Sequence, residues 1–408
     1  MGRQVIVIGG GASGLTAAIW AARAGAGVTL LEHMDRVGKK ILSTGNGKCN
    51  LTNLVQDPSC YRGERPEFAC EVIRHFSVED TLAFFRELGV FPKIKNGYVY
   101  PNSEQASAVL DVLRIEAEHQ KVNIICGCEV ESIRTRPFVV STSAGVYRAD
   151  RIILATGGKA APATGSDGSG YRLAKELGHR IIKPLPALVQ LRCGDGYEKQ
   201  LAGIRTEAKV TLNADGHMIA EDTGELQLTD YGISGIPVFQ VSRYAAKALD
   251  RKQTVTAIVD YLPALTWEDT LKELQQRKER MAYRNAETFF TGLLNKKLSQ
   301  VVLKKAGVTP AFPMEQASGR QLRKLAEQIK AMTFAVTATN PFAQAQICCG
   351  GVDTGQVDPA TMESKLVPGL YLAGELLDVD GICGGYNLQF AWSAGYLAGK
   401  SAGGGHTL

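Results

Sequence analysis

The sequence predicts an α/β fold: a doubly wound parallel sheet, discontinuous along the chain, interrupted by a β-rich insertion that itself carries helices. Three observations carry this. Apolar runs that end on glycine lie at Val5–Gly9, Arg151–Gly157 and Leu370–Gly374, far apart in the 408 residues. From about Leu188 the texture changes to short strand-length runs separated by turns such as Asn213-Ala214-Asp215-Gly216. From Trp267 the apolar spacing turns helical, with Trp267, Leu271 and Leu274 on one face and Leu322, Leu325 and Ile329 on another. The resulting division is 1–187 and 342–408 for the sheet domain, 188–262 and 330–341 for a β-barrel-like domain, and 263–329 for a small helical subdomain within it.

The first segment is the most specific. The run Val5-Ile6-Val7-Ile8 ends at Gly9, and Gly9, Gly11 and Gly14 supply the G-x-G-x-x-G spacing. An alanine-rich helical stretch follows, then Gly25, then Val28-Thr29-Leu30-Leu31 closed by Glu32. Gly9 permits the tight turn, Gly11 a close approach of pyrophosphate to the backbone, and Gly14 close packing of helix on strand. The helix start turns free N–H groups and the positive end of its dipole toward the phosphates. Glu32 stands at the distance expected of an acid that accepts from both hydroxyls of an adenosine ribose. This is a Rossmann-type dinucleotide fingerprint with its parts in order.

The stretch Gly38 to Asn53 is rich in glycine, amides and lysine and reads as a loop. Ser77-Val78-Glu79-Asp80 has the form of a capping box opening a helix through Leu82, Phe85 and Leu88. Asn96-Gly97 marks a hairpin, and a helix is expected from about Glu104 to His119. Strands are expected at Val122–Ile125, Val130–Ile133, Phe138–Thr142, Val146–Arg148 and Arg151–Thr156, then a helix opened by Gly165–Gly170. In the insertion, strands are expected at Leu188–Arg192, Ala208–Leu212, Leu226–Thr229 and Thr254–Asp260. A last helix is expected from about Leu388 to Ala398, with Gly403-Gly404-Gly405-His406 disordered.

Composition narrows the class. Hydrophobic residues make up 45% and charged residues 21%, as in ordinary soluble proteins. A net charge of +5 without a basic tract argues against nucleic acid as partner. The apolar runs are too short to span a bilayer, so no membrane association is expected, and the first run is a sheet strand rather than a leader. The nine cysteines include no C-x-x-C, and the six histidines show no ligand spacing. Reduced thiols, no metal and a cytoplasmic location are the expectation.

The strand ending Ala155-Thr156-Gly157-Gly158 delivers small residues at its carboxyl end, where ligands collect in such sheets. Tyr371-Leu372-Ala373-Gly374-Glu375 ends on glycine plus an acid, a carboxylate suited to a ribityl hydroxyl with Gly374 allowing close approach. The turn ending at Gly385 and the helix after it aim N–H groups at an isoalloxazine edge, where negative charge builds on reduction. The cofactor these three segments point to is FAD.

These residues carry a resemblance. The stretches Gly45-Asn46-Gly47-Lys48-Cys49-Asn50-Leu51-Thr52-Asn53, Thr229-Asp230-Tyr231-Gly232-Ile233-Ser234-Gly235, Met362-Glu363-Ser364-Lys365 and Gly374-Glu375-Leu376-Leu377-Asp378-Val379-Asp380-Gly381 through Gln389 resemble the bacterial NAD(P)/FAD-dependent, aminoacetone-oxidase-like flavoproteins. More distantly, the chain looks like fumarate reductases and ketosteroid dehydrogenases. The family includes a reductase of the conjugated double bonds of 3-oxo bile acids. The resemblance implies an FAD domain interrupted by a barrel-like domain with a helical insert. It also implies FAD contacts from Ala12, Ser13, Glu32, Lys40, the Asn46 loop, the backbone at Val130, Glu375, Asn387 and Leu388. Relatives more often carry a small polar pair where this chain has Ile382-Cys383.

The implied activity is reduction of the conjugated C=C bonds of a 3-oxo steroid or bile acid, an enone, by hydride from NADH or NADPH through flavin N5. Tyr231 and Tyr386 are candidate acids for the α-carbon, weighed against ordinary packing. Lys48, Cys49 and Asn50 read as a cofactor-wrapping loop rather than as catalysts. Cys348-Cys349 reads as two buried side chains rather than a redox pair. Two alternatives stand beside this one: a flavin-dependent oxidase of a small amine or alcohol, and a flavin-bearing partner in RNA modification.

Overall fold

The apolar runs that are distant in sequence pair side by side. In the computed structural model, which describes residues 2–404, the chain opens with β1 (Gln4–Ile8), α1 (Ala12–Arg23), β2 (Gly27–Leu31) and α2 (Lys39–Ser43). It continues through β3 (Thr52–Asn53), α3 (Val78–Glu87), β4 (Pro92–Lys95), β5 (Tyr98–Pro101), α4 (Ala106–His119) and β6 (Asn123–Ile125). Then come β7 (Val130–Arg134), β8 (Phe138–Thr142), β9 (Gly145–Ala149), β10 (Arg151–Leu154) and α5 (Ser169–Glu176). The second stretch holds β11 (Leu191–Cys193), β12 (Arg205–Ala214), β13 (His217–Thr229), β14 (Gly232–Gly235), α6 (Ile236–Asp250), β15 (Val255–Asp260), α7 (Trp267–Arg280), α8 (Ala286–Phe289), α9 (Lys296–Ala306), α10 (Gly319–Lys330) and β16 (Met332–Thr339). The chain returns through β17 (Ile347–Val352), β18 (Leu370–Leu372) and α11 (Tyr386–Gly403). Two units result: Met1–Leu185 with Gln346–Leu408, and Pro186–Ala345.

In the first unit the parallel sheet runs β18-β10-β1-β2-β6. Its register aligns the strand ends: Ile8 pairs with both Leu31 and Leu154, and Leu154 with Leu372. Each first residue past a strand then donates to its neighbour: Gly9 N–H to Leu31 O, Ala155 N–H to Ile8 O, and Ala373 N–H to Leu154 O. Val5 to Ile8, Ile152 to Leu154 and Leu370 to Leu372 are all buried, as expected of parallel strands covered on both faces.

Helix α1 packs on α11 backbone to backbone. Gly395, Gly399 and Gly403 of α11, four residues apart, face Ser13, Ala17 and Ala21 of α1. A Cβ at Gly395 would stand 2.5 Å from the Ser13 carbonyl oxygen, and one at Gly399 would collide with that of Ala17. Only glycine admits this spacing. The capping box forms as expected, with the Ser77 hydroxyl accepting from Asp80 N–H and the Asp80 carboxylate from Ser77 N–H. The Asn96-Gly97 hairpin also forms, both residues at positive φ.

The second unit is a closed antiparallel barrel in the order β11-β14-β13-β12-β15-β16. Along β15 and the inner part of β12, buried and partly buried residues alternate, the period-2 pattern of strands with one face turned to a packed interior.

Four expectations on element bounds are corrected. No helix was expected at 236–250, yet α6 fills it. Pro237 sits in its first turn and Val238, Val241, Ala245 and Ala248 form its buried face, a 3.6-period stripe masked by surrounding strand-like runs. The strand expected at Leu188–Arg192 begins at Leu191, because Leu188 is left-handed (φ 48). Trp267, at the first turn of α7, is 39% exposed, and the buried face is Thr270, Leu274 and Arg277. Helix α11 starts at Tyr386, since Gly385 (φ 96) makes its N-cap, and it continues through Gly403 to a left-handed Gly404. Gly403 and Gly404 are therefore ordered, while Gly405 and His406 lie outside the described residues.

Alanine for glycine in an ordinary helix interior stabilises by about 1 kcal/mol. At Gly399 the sign should reverse: Gly399→Ala is expected to lose about 1–3 kcal/mol by overpacking, read by chemical denaturation followed by circular dichroism.

Candidate dinucleotide-binding site

The aligned strand ends of the first unit gather most of the expected site residues on one edge of the sheet. Gly9 (φ 101) makes the turn out of β1, where a Cβ would meet the Ala155 carbonyl at 2.5 Å. Gly14 is pressed on the Gly9 carbonyl and tolerates no side chain. Gly11 differs: its backbone is extended (φ −79), and beyond its chain neighbours no protein atom lies within 4 Å of where a Cβ would stand. Protein packing requires glycine at 9 and 14 but not at 11, and the open approach over Gly11 fits a group brought against the backbone from outside. Helix α1 starts there with no side-chain cap and no acid in its first turn, leaving its first N–H groups for an anion.

Two carboxylates flank this turn. Glu32, 7% exposed, is oriented by Gly10 N–H on Oε2 (2.7 Å) and Met34 N–H on Oε1 (2.8 Å). Its carbonyl accepts from Cys128 N–H (2.9 Å), which draws the segment leading to buried Val130 to the same edge. Glu375 follows Gly374 (φ 73), whose missing side chain makes room for the Ser13 hydroxyl, so the first and last sheet segments meet directly. Glu375 Oε2 pairs with Lys40 Nζ (2.6 Å) and its Oε1 accepts from Cys348 N–H (3.0 Å). Both partners of this pair are about one-fifth exposed, so Glu375 presents a held, reachable carboxylate, whereas Glu32 is held but buried.

Thr156 and Gly157 sit where β10 ends. The Thr156 Oγ1 is buried without a hydrogen-bond partner against Gly170, and Gly157 (φ 73) packs on the Ser166 hydroxyl. Asn46 stands exposed in a tight turn with Gly45, both left-handed (φ 54 and 56). That loop is tied down from outside by Lys48–Glu104 (2.7 Å) and Lys93–Glu104 (2.5 Å). The two lysines hold the Glu104 carboxyl at about 2, well below its ordinary value. Buried Asn50 leaves its Oδ1 unpaired in the same loop.

Gly385 opens α11 with its backbone seated on Thr52, and Leu388 completes the first turn. The Asn387 side chain clamps Gly381, accepting from its N–H (2.8 Å) and donating to its carbonyl (3.0 Å). That leaves the backbone of Asn387, rather than its amide, to meet a ligand. Gln389 was overlooked as a support: it accepts from Thr52 and donates to Thr81 and Ser393, locking α11 to the loop. Its place one residue past the Asn387-Leu388 pair was the available signal.

The two candidate tyrosines lie in different units. Tyr386 is 5% exposed, edge-on to Tyr61 at 5.8 Å, and burial with the neighbouring Cys60 thiol pushes its phenol up. Tyr231 belongs to the barrel unit, partly buried in the turn between β13 and β14 with the Arg192 guanidinium 5.5 Å over its ring. Burial pushes the Cys49 and Cys348 thiols up to about 12.

A family model described as HI0933-like protein Rossmann domain matches residues 3–401. The chain is a member of the HI0933-like family. This HI0933-like chain is 47% identical over 403 residues to the 3-dehydro-bile acid delta(4,6)-reductase of Clostridium scindens, covering 98% of both chains. It is 30% identical to a ribosomal RNA dihydrouridine synthase of Haemophilus influenzae over 97% of each chain, and 28% identical to one of Escherichia coli over 96% of each. Among solved structures, the open conformation of a flavocytochrome c3 fumarate reductase matches at TM-score 0.49 and 17% identity, over 98% of this chain and 78% of that one. No helix among the described residues is long and apolar enough to cross a membrane.

Two outcomes follow. Gly11→Val should leave the ligand-free fold as stable as wild type, since the space is open, while abolishing dinucleotide retention through purification. Iodoacetamide at pH 8 should label exposed Cys126 while sparing Cys49 and Cys348, as mapped by mass spectrometry of the native protein.

Proposed function

We propose that this chain is an FAD-dependent reductase of a carbon–carbon double bond conjugated to a carbonyl, acting on a 3-oxo steroid or bile acid with NADH or NADPH as reductant. The observation that carries the substrate class is the 47% identity, over 98% of both chains, with the 3-dehydro-bile acid delta(4,6)-reductase. FAD is supported by the open backbone at Gly11, the uncapped start of α1 and the two held carboxylates.

In this reading, residues 1–187 and 342–408 are the FAD domain, and 188–341 bear on the substrate. Gly9, Gly11, Ala12, Ser13 and Gly14 seat the pyrophosphate, and Glu32 takes the ribose with the Val130 backbone beside it. Lys40, Thr156, Gly157, Gly374 and Glu375 hold the middle of the cofactor. The Asn46 loop and the backbone of Gly385, Asn387 and Leu388 border the flavin, where N–H groups at the start of α11 favour negative charge. Bound there, FAD would supply two-electron transfer between NAD(P)H and the β-carbon of an enone. The chain's own task is to orient the ring, exclude water and supply a proton at the α-carbon. A reducing, cytoplasmic setting suits its nine free cysteines.

A second reading, reduction of uracil in RNA, draws on the two dihydrouridine synthases. It gains from residues 263–330, which hold 13 Lys and Arg against 7 Asp and Glu, so the basic charge is more gathered than a scan for basic tracts reveals. Both readings share one chemistry, saturation of a double bond beside a carbonyl.

Anaerobic stopped-flow tests the choice. The NAD(P)H-reduced protein should be reoxidised by a 3-oxo-4,6-diene steroid acid, with loss of the dienone absorbance. Reoxidation by ribosomal RNA instead would favour the second reading. Indifference to both, with fast reaction with oxygen and peroxide release, would replace them with an oxidase.

A further inference from the structure

The hairpin between α3 and α4 places a third phenol at the turn that opens α11. Strand β5 begins immediately after the Asn96-Gly97 turn and lies between β4 and β3. Its register pairs Tyr98 with Asn53 and Val99 with Thr52. The Gly384-Gly385 turn rests on this same ladder. Asn53 Nδ2 donates to the Gly384 carbonyl (3.2 Å), and a Cβ at Gly385 would stand 2.7 Å from the Thr52 carbonyl carbon. Gly384 (φ 131) lies between two rings: a Cβ there would be 3.0 Å from Tyr386 and 3.1 Å from Tyr98.

These two phenols differ in surroundings. Tyr386 is buried with its hydroxyl beside the Cys60 thiol. Tyr98 is 37% exposed, and its hydroxyl has no hydrogen-bond partner among the described residues. Its ring lies against Gly384 on the ladder, so the exposed hydroxyl is held near that turn at low entropic cost. A neutral donor of this kind is suited to an oxygen on which negative charge grows during reaction.

We infer that Tyr98 is the residue that donates a hydrogen bond to the carbonyl oxygen of the substrate enone. The assignment rests on the enone-reductase reading above and names the group that recognises the carbonyl. The donor draws electron density toward that oxygen and makes the conjugated β-carbon more electrophilic.

The test uses oxidised, FAD-loaded protein, which binds a 3-oxo-4,6-diene steroid acid without turning it over. Affinity is read by flavin absorbance, and polarisation by the infrared carbonyl stretch of the bound ligand. Tyr98→Phe keeps the ring and should weaken binding about tenfold, the loss of one hydrogen bond. It should also return the stretch toward its value in solution, with FAD content and melting temperature unchanged. A 3-deoxy analogue should bind wild type and Tyr98→Phe alike. Equal affinity and an unmoved carbonyl stretch in Tyr98→Phe overturn the assignment. Failure of the unmutated protein to bind the dienone overturns the substrate reading and the assignment with it, and is separable because it appears without any substitution.

Discussion

The backbone contact between α1 and α11 is the constraint from which the rest of the first unit follows. Ser13 faces Gly395 and Ala21 faces Gly403, so the two helices run in the same direction at the closest distance glycine allows. Tyr386 lies nine residues before Gly395, so α11 begins roughly 13 Å beyond the start of α1 along a shared direction. Two helix N-termini of the same polarity thus stand in line, one at the Gly11 turn and one at the Gly385 turn. An extended cofactor with an anionic centre and an electron-accepting ring, as proposed above, would meet a positive dipole end at each. If the helices were pushed apart, both termini would move and the Ser13–Gly374 contact would be lost.

The second level of order is the even ending of the strands. Because Ile8, Leu31, Leu154 and Leu372 form one row, the residues after them emerge together. The acids that emerge are positioned differently. Glu32 is fixed by two backbone N–H groups and has His33 Nδ1 3.3 Å from its Oε1, whereas Glu375 is fixed by Lys40 and one amide. The first arrangement orients its carboxylate chiefly through backbone geometry, and the second through a side-chain ion pair.

Much of this was legible in the sequence, and the limits are physical. Parallel strands covered on both faces read as unbroken apolar runs, so β1, β10 and β18 were visible, as was the barrel texture of the insertion. Helix α6 was not, because its stripe of Val238, Val241, Ala245 and Ala248 is short of large residues and the helix begins directly at the end of strand β14. The G-x-x-x-G-x-x-x-G spacing at 395, 399 and 403 was present in the sequence, but its meaning depends on which helix it meets. The strand ends on which the expected site residues sit could be named from the pattern of glycines. Their supports, such as Gln389 on Thr52 and Glu104 on Lys48, act through contacts across tens or hundreds of residues that no local pattern encodes. Asn387 shows the difference most sharply. Its position was marked, but its side chain holds Gly381 rather than facing outward.

The shared seam of α1 and α11 also orders events during synthesis. Strand β18 and helix α11 are made after the second unit, yet they complete the sheet and the packing that α1 begins. While the ribosome translates residues 186–345, the nascent first unit lacks both its edge strand and its glycine ridge. The barrel, whose strands are contiguous in the chain, has every partner before then. The strand-end edge of the sheet is therefore complete only after the whole of the second unit has been made.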